Sequence, residues 1–204
     1  MKVIGFTGPT GAGKSTVLKK LEAMGGPTLD CDGAYHRLLE ESEPMRRQLK
    51  ERFGPEIFTA GGAVDRKALA ALVFSQEQAL ADLNAITHPY VAQAVDDFLA
   101  QAEQSGAALA GIEAIALFES GLDRRCHYTV AVTAPAADRV DRVVERDSVS
   151  QAYAQERVDH QHENLWYWKR CSFAIVNDGD MERFEKRTQT LLDYIVELKQ
   201  SIGR

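Results

Sequence analysis

Apolar residues begin the chain as a short unbroken run and then change spacing. Val3 to Thr7 is β-prone and bounded by glycine, which predicts a buried strand. From Lys14 to Met24, Val17, Leu18 and Leu21 fall at helical spacing, and Gly25–Gly26 stop the pattern. "PTLDCD" then reads as a second short strand ending in acids. Strand, glycine loop, helix and strand predict a βαβ unit, and with it a parallel sheet and a right-handed crossover.

The next stretch has few strand signals. Ala34 to Phe53 is helical in pattern. Gly and Pro in "GPEIFTAGGAVDRK" mark a loop or hairpin, followed by a helix from about Asp65. A further helical run lies between Gln76 and Ile86. The Pro of "THPY" predicts a break, after which Tyr90 to Glu103 resumes as helix. "AALAGIEAIALF" and "YTVAVTA" hold apolar runs expected of buried central strands. Ala136 to Lys169 is helical and highly charged, "FAIV" is a short strand, and Met181 to Ile202 is an amphipathic helix. The pattern predicts an α/β fold, a parallel sheet flanked by helices with a mostly helical insertion after the second strand.

Composition narrows the function classes. The 204 residues suffice for one sizeable core with a small appended subdomain. A formal net charge of −6 argues against a general nucleic-acid groove. Cys31, Cys126 and Cys171 are odd in number and widely spaced, so neither a disulfide framework nor a zinc site is expected. No apolar run is long enough to span a bilayer and the start lacks a signal-peptide core, so a cytoplasmic protein with no membrane partner is expected. Oligomeric state is left open.

"GPTGAGKS", Gly8 to Ser15, matches G-x-x-x-x-G-K-[ST] at every fixed position. Glycines permit dihedrals that turn successive backbone N–H groups inward, and these donors with the following helix N-terminus cradle an anion. Gly8, Gly11, Ala12, Gly13 and Thr16 supply the loop, Lys14 a charge for the β- and γ-phosphates, and Ser15 a hard oxygen for Mg²⁺. The expected ligand is a nucleoside triphosphate, ATP.

Two groups of charged residues could act on that phosphate. Asp30 and Asp32 sit at the C-terminal end of the second predicted strand, the edge that faces the ligand crevice of an open α/β sheet. Either an acceptor-orienting base or a helix N-cap accounts for them. Arg139, Arg142 and Arg146 are spaced by three and four, which puts them on one helix face. They could line a lid that clamps phosphate; interleaved acids also fit a solvated helix. His160 and His162 read as surface residues, and Trp166 and Trp168 as packing anchors.

With these segments in view, the chain resembles the dephospho-CoA kinases. "TGPTGAGKST", "LDCDGAYHRLLE", "VDRKALAALVF", "ITHPYV", "LFESGL", "RVVERD", "RVDHQ" and "IVNDG" occur in that family's order and cover most of the chain. The resemblance implies ATP-dependent phosphorylation of the ribose 3′-hydroxyl of dephospho-CoA, on a P-loop kinase fold. It implies a nucleotide core over about 1–32, 107–135 and 171–204, a helical acceptor-binding region over about 33–106, and a lid over about 136–170. By motif match, Asp32 is the acid–base residue, and His88, Glu119 and Arg66 lie near the acceptor. Arg142 and Arg146 are the lid arginines on the ATP phosphates, Arg142 acting in catalysis with Lys14, and Asn177 lies near the adenine. Glu113 and Ile115 stand where the family usually has Asp and Pro, and Val176 where it usually has Asp. A different small-molecule P-loop kinase and a nucleotide-dependent switch are the alternatives; no N-K-x-D base-recognition motif supports the switch.

Overall fold

The computed structural model describes residues 1–74 and 77–198. The chain divides into two compact units, one of Met1–Thr28 with the chain from Gln101 onward and one of Leu29–Ala100.

The sheet has the strand order β2-β3-β1-β4-β5, with β1 at Lys2–Thr7, β2 at Thr28–Asp30, β3 at Leu109–Glu113, β4 at Tyr128–Thr133 and β5 at Phe173–Val176; β1, β3, β4 and β5 lie in the first unit. The pairs β1–β3, β1–β4 and β4–β5 are parallel, in register from Lys2↔Leu109, Ile4↔Tyr128 and Val130↔Phe173. The uninterrupted apolar runs are explained by this placement: β1 and β4 are central, and Ile4, Phe6, Val130 and Val132 are fully buried. Helix α1 (Lys14–Ala23) contributes Val17 and Leu21 to the same core, and the C-terminal helix Met181–Glu197 contributes Phe184, Leu192 and Ile195. That last helix was expected to run to Ile202; the positions past 198 lie outside the described residues. Its C-terminal end is tied down by Lys2, whose ammonium donates to the carbonyls of Ile195 (2.8 Å), Val196 and Leu198. A cation on the last free carbonyls of a helix also offsets its macrodipole.

The segment expected as a lid folds as three helices, Ala136–Asp147, Gln151–Asp159 and Asn164–Trp168. It belongs to the first unit and has its own small apolar cluster of Val140, Val143, Ala154 and Val158.

The second unit is helical. In chain order it holds α2 (Cys31–Glu41), α3 (Glu43–Phe53), α4 (Arg66–Phe74) and most of α5 (Glu77–Gln104). The helices from residue 136 onward are then α6 (Ala136–Asp147), α7 (Gln151–Asp159), α8 (Asn164–Trp168) and α9 (Met181–Glu197). The single helical run expected over Ala34–Phe53 is two helices. Ser42 caps the second by accepting the Met45 N–H, and Pro44 lies in its first turn. Leu39, Met45, Leu49, Phe53, Leu69 and Val73 form the unit's core.

Two sequence expectations are corrected here. Pro89 does not break the helix; α5 continues through it. Loss of one ladder hydrogen bond costs roughly 3 kcal/mol. Ile86 and Tyr90, on either side, pack against the helical core and outweigh that cost. The second strand also stops earlier than "PTLDCD" suggested. It ends at Asp30, whose side chain accepts the Asp32 N–H at 3.0 Å and caps α2. Asp30 and Asp32 therefore do not share a strand face: Asp30 is the N-cap, and Asp32 lies in the first turn of a helix.

Candidate active site

The glycine loop joins β1 to α1, and its shape is set by close packing. Gly8 has φ +142°, and a Cβ there would stand 1.9 Å from the Val132 carbonyl oxygen. Gly11 has φ +74°, and its Cβ would stand 2.6 Å from the Arg139 carbonyl oxygen. Both the backbone conformation and the space exclude a side chain at these positions.

The loop's carbonyls are tethered by three side chains. Lys14 Nζ donates to the carbonyls of Gly8 (3.0 Å) and Pro9 (3.2 Å). Arg142 Nη1 donates to the Gly11 carbonyl at 3.1 Å, and Asn177 Nδ2 to the Ala12 carbonyl at 3.1 Å. Between these tethers the Ala12 N–H turns back onto the Pro9 carbonyl at 3.3 Å and closes a turn, while Gly11 and Gly13 line the open side of the loop ahead of the helix N-terminus, the setting of an anion nest. Arg142 also donates to Asn177 Oδ1 at 3.2 Å, so the two side chains that grip the loop grip each other. Asn177 is 1% exposed and follows β5, where its own N–H bonds to Thr133 O at 2.8 Å. Its side chain serves the loop and Arg142, and its Oδ1 also accepts the Gly179 N–H at 3.4 Å.

The loop opens on a cavity of about 590 Å³. Gly11, Gly13, Lys14, Ser15 and Thr16 line one side. Arg142, Glu145 and Arg146 of α6 line another, with Glu113, Asn177 and Met181 completing the wall. Glu113 ends β3 and stands 3.6 Å from the Lys14 ammonium. Arg146 is held by a two-point contact to Asp147 at 2.7 and 3.0 Å, and Asp147 also binds Arg157 at 2.8 Å. The hydrogen bond from Arg146 is the leading reason the Asp147 carboxyl sits below its ordinary pKa.

The structure thus gathers Lys14, Ser15, Thr16, Arg142, Arg146 and Asn177 with loop glycines around one cavity. Gly8 and Ala12 shape the loop without lining the space. Arg139 leaves the stripe: it is 5% exposed, and burial pushes its pKa down. A helix face is wide enough that residues spaced three apart can diverge when one of them packs inward.

Glu119 is not among the cavity's lining residues. It lies 3.6 Å from His162, which stacks on Trp166 at 3.9 Å between ring centroids. Arg170 lies over the Trp166 ring at 4.0 Å, so Trp166 is a packing anchor, and His162, exposed as expected, stacks on it from the surface.

Asp32, Arg66 and His88 belong to the second unit. Arg66 Nη2 is 3.2 Å from His36 Nε2. Both line an apolar cavity of about 750 Å³ with Tyr35, Leu39, Leu69 and Val73. Burial raises the Tyr35 hydroxyl pKa, against the pull of the Arg66 charge. Burial of His88 lowers its imidazole pKa.

Sequence reasoning missed Glu113, Glu145 and His36 as wall residues. For Glu113 a signal existed, since it closes a central parallel strand at the edge where such sheets bind ligands. For His36 none did: its role depends on α4 placing Arg66 beside it. Among the described residues there is no group of three or more His, Cys, Asp or Glu that could hold a metal, and no helix long and apolar enough to cross a membrane.

A parallel sheet with this loop between its first strand and first helix defines a P-loop fold, and the fold is shared with the shikimate kinase of Acinetobacter baumannii (TM-score 0.53, 16% identity, 98% of this chain and 96% of that one). The chain belongs to the dephospho-CoA kinase family, whose model matches residues 2–183. A dephospho-CoA kinase of Thermus thermophilus is 38% identical over 192 residues, 93% of this chain and 90% of the relative. A crystal structure from Thermus thermophilus superposes with a TM-score of 0.81 at 36% identity, covering 95% of this chain and 97% of that one. The chain is accordingly an enzyme, a transferase.

Proposed function

We propose that the protein transfers the γ-phosphoryl group of ATP to the ribose 3′-hydroxyl of dephospho-CoA. The observation that carries this is the single cavity in which the glycine loop, Lys14, Arg142, Arg146 and Asn177 converge. ATP phosphates lie on the N–H groups of Gly11, Gly13, Lys14 and Ser15, with Lys14 Nζ against the β- and γ-phosphates. Arg142 and Arg146 neutralise charge that develops on the transferred group. Asp32, at the N-terminal turn of α2, orients the acceptor hydroxyl and takes its proton. The hydroxyl oxygen forms the new bond to Pγ as the bond to the bridging oxygen breaks, and ADP leaves.

The donor set also suits Mg²⁺. Ser15 is exposed at the cavity wall, and Mg²⁺ keeps most of its waters, binding one or two protein oxygens with substrate phosphates rather than a protein cage. Ser15 would hold it, and the ion would supply charge neutralisation along the phosphates.

The acceptor carries a pyrophosphate and a largely uncharged pantetheine arm. The cavity of the second unit matches that chemistry, with an apolar floor of Leu39, Leu69 and Val73 and the Arg66–His36 pair at its wall. We assign the arm to that floor and an acceptor phosphate to Arg66.

An ADP-release assay with Mg·ATP, run with and without dephospho-CoA, tests the reading, with mass spectrometry of the acceptor. ADP release that depends on dephospho-CoA, and a product heavier by one phosphoryl group, are expected. ADP release indifferent to dephospho-CoA would discard the acceptor and direct the search to other small-molecule hydroxyls.

A further inference from the structure

The phosphate loop is held from a fourth direction that the reaction as described does not use. Gln161 lies just beyond α7. Its side-chain oxygen Oε1 accepts the backbone N–H of Thr10 at 2.9 Å. The same oxygen lies 3.5 Å from Nη1 of the buried Arg139. Thr10 is itself 4% exposed, so its N–H has little access to water.

The position of this bond in the loop gives it meaning. Thr10 follows Gly8 and Pro9, whose carbonyls receive Lys14, and precedes Gly11 and Ala12, whose carbonyls receive Arg142 and Asn177. The loop reverses direction between those two sets of tethers. An N–H held by Gln161 at that point fixes where the reversal occurs, and so fixes the aim of the N–H groups that follow. Arg139 adds stiffness from behind: its backbone packs on Gly11, and its side chain is buried beside Gln161. Gln161 reaches the loop from the 136–170 segment, so its amide adds, at Thr10, a second link between that segment and the anion cradle beside the one that α6 makes at Gly11.

We infer that Gln161 is a positioning residue for the nucleotide: it couples the α6–α8 segment to the phosphate loop by holding Thr10 N–H, without itself touching the phosphates. This deepens the kinase reading and rests on it for the identity of the ligand.

The test compares Gln161→Met, which keeps length and removes the acceptor, with Gln161→Glu, which keeps an acceptor oxygen. Calorimetric Kd for Mg·ATP, measured with no acceptor present, is the primary readout, with thermal melting alongside. Loss of one buried acceptor predicts an ATP Kd raised about tenfold in Gln161→Met. In Gln161→Glu it is expected within about threefold of wild type, since the carboxylate can take the same N–H. In steady state the Met variant should show the effect in KM for ATP, with KM for the acceptor unchanged. Wild-type ATP affinity in Gln161→Met overturns the proposal. So does equal loss of ATP affinity in both variants, which would mark a packing role only. Because the primary readout needs no acceptor, a wild-type protein that binds ATP yet leaves dephospho-CoA unmodified would defeat the acceptor assignment and leave the Gln161 result standing.

Discussion

The Lys14 ammonium stands 3.6 Å from a carboxylate oxygen of Glu113, joining the end of the phosphate loop to the end of β3. Both side chains are largely buried, with 9% and 13% of their surface exposed. The carboxylate restrains Lys14 toward the cavity wall that both residues share. Lys14→Ala is expected to lower kcat by roughly 10²–10³-fold, the scale of losing one preorganised charge at a developing anion. Glu113→Gln should raise KM for ATP while leaving the melting temperature nearly unchanged. Steady-state kinetics of both variants check this, and an unaltered Lys14→Ala enzyme would remove the loop from the mechanism.

Asn177 bridges Ala12 O and Arg142, and it is almost fully buried. Asn177→Ala removes the donor to the Ala12 carbonyl and one partner of Arg142, which keeps the Gly11 carbonyl. The expected loss of stability is about 1–3 kcal/mol. In a chain of this size that is a fall in Tm of roughly 2–4 °C per kcal/mol. Calorimetry measures it, and ATP affinity should fall with it because the Ala12 carbonyl is no longer held.

Gly11→Ala places a Cβ 2.6 Å from the Arg139 carbonyl oxygen at a φ of +74°. The left-handed backbone alone costs about 1–2 kcal/mol. Since α6 carries both Arg139 and Arg142, the clash should displace the arginine that grips the loop. Soluble protein with ATP binding reduced beyond detection by calorimetry is the expected result; wild-type affinity would show that the loop tolerates the shift.

Asp32→Asn is expected to cut kcat by about 10²-fold or more, the scale of a lost general base. ATP affinity should be unaffected, and Tm should fall only slightly, because the helix cap is Asp30 and Asp32 contributes a first-turn charge worth about 0.3–1 kcal/mol. Near-normal turnover in a folded Asp32→Asn enzyme would remove its acid–base role.

His88 supplies a pH dependence. Burial lowers its pKa in the folded protein, so the unfolded chain takes up the proton first as pH falls. Stability from neutral His88 is therefore fully present above the ordinary histidine pKa of about 6.5 and is lost as pH drops through the lowered folded value. Melting temperatures followed from about pH 7.5 down to about pH 5 should fall more steeply for wild type than for His88→Gln. Parallel curves would show that the imidazole contributes no such dependence.

Much of this molecule was determined by local chemistry. Strands β1, β4 and β5 were legible as apolar runs because a buried parallel strand presents both faces to apolar neighbours. The glycine loop was legible because its φ values and close contacts leave few residues to choose from, and Lys14 and Ser15 sit at fixed offsets within it. Tertiary structure decided where local signals compete. Pro89 signalled a break that packing of Ile86 and Tyr90 overrode. Asp30 and Asp32 were indistinguishable as strand-end acids until β2 stopped at Asp30 and made it a cap. The arginine stripe was regular in sequence, yet Arg142 turned to the loop while Arg139 turned into the interior. Glu113 facing Lys14, Gln161 holding Thr10 and His36 beside Arg66 bring together residues 99, 151 and 30 positions apart. No periodicity encodes such meetings, because they depend on how separately formed helices and strands pack.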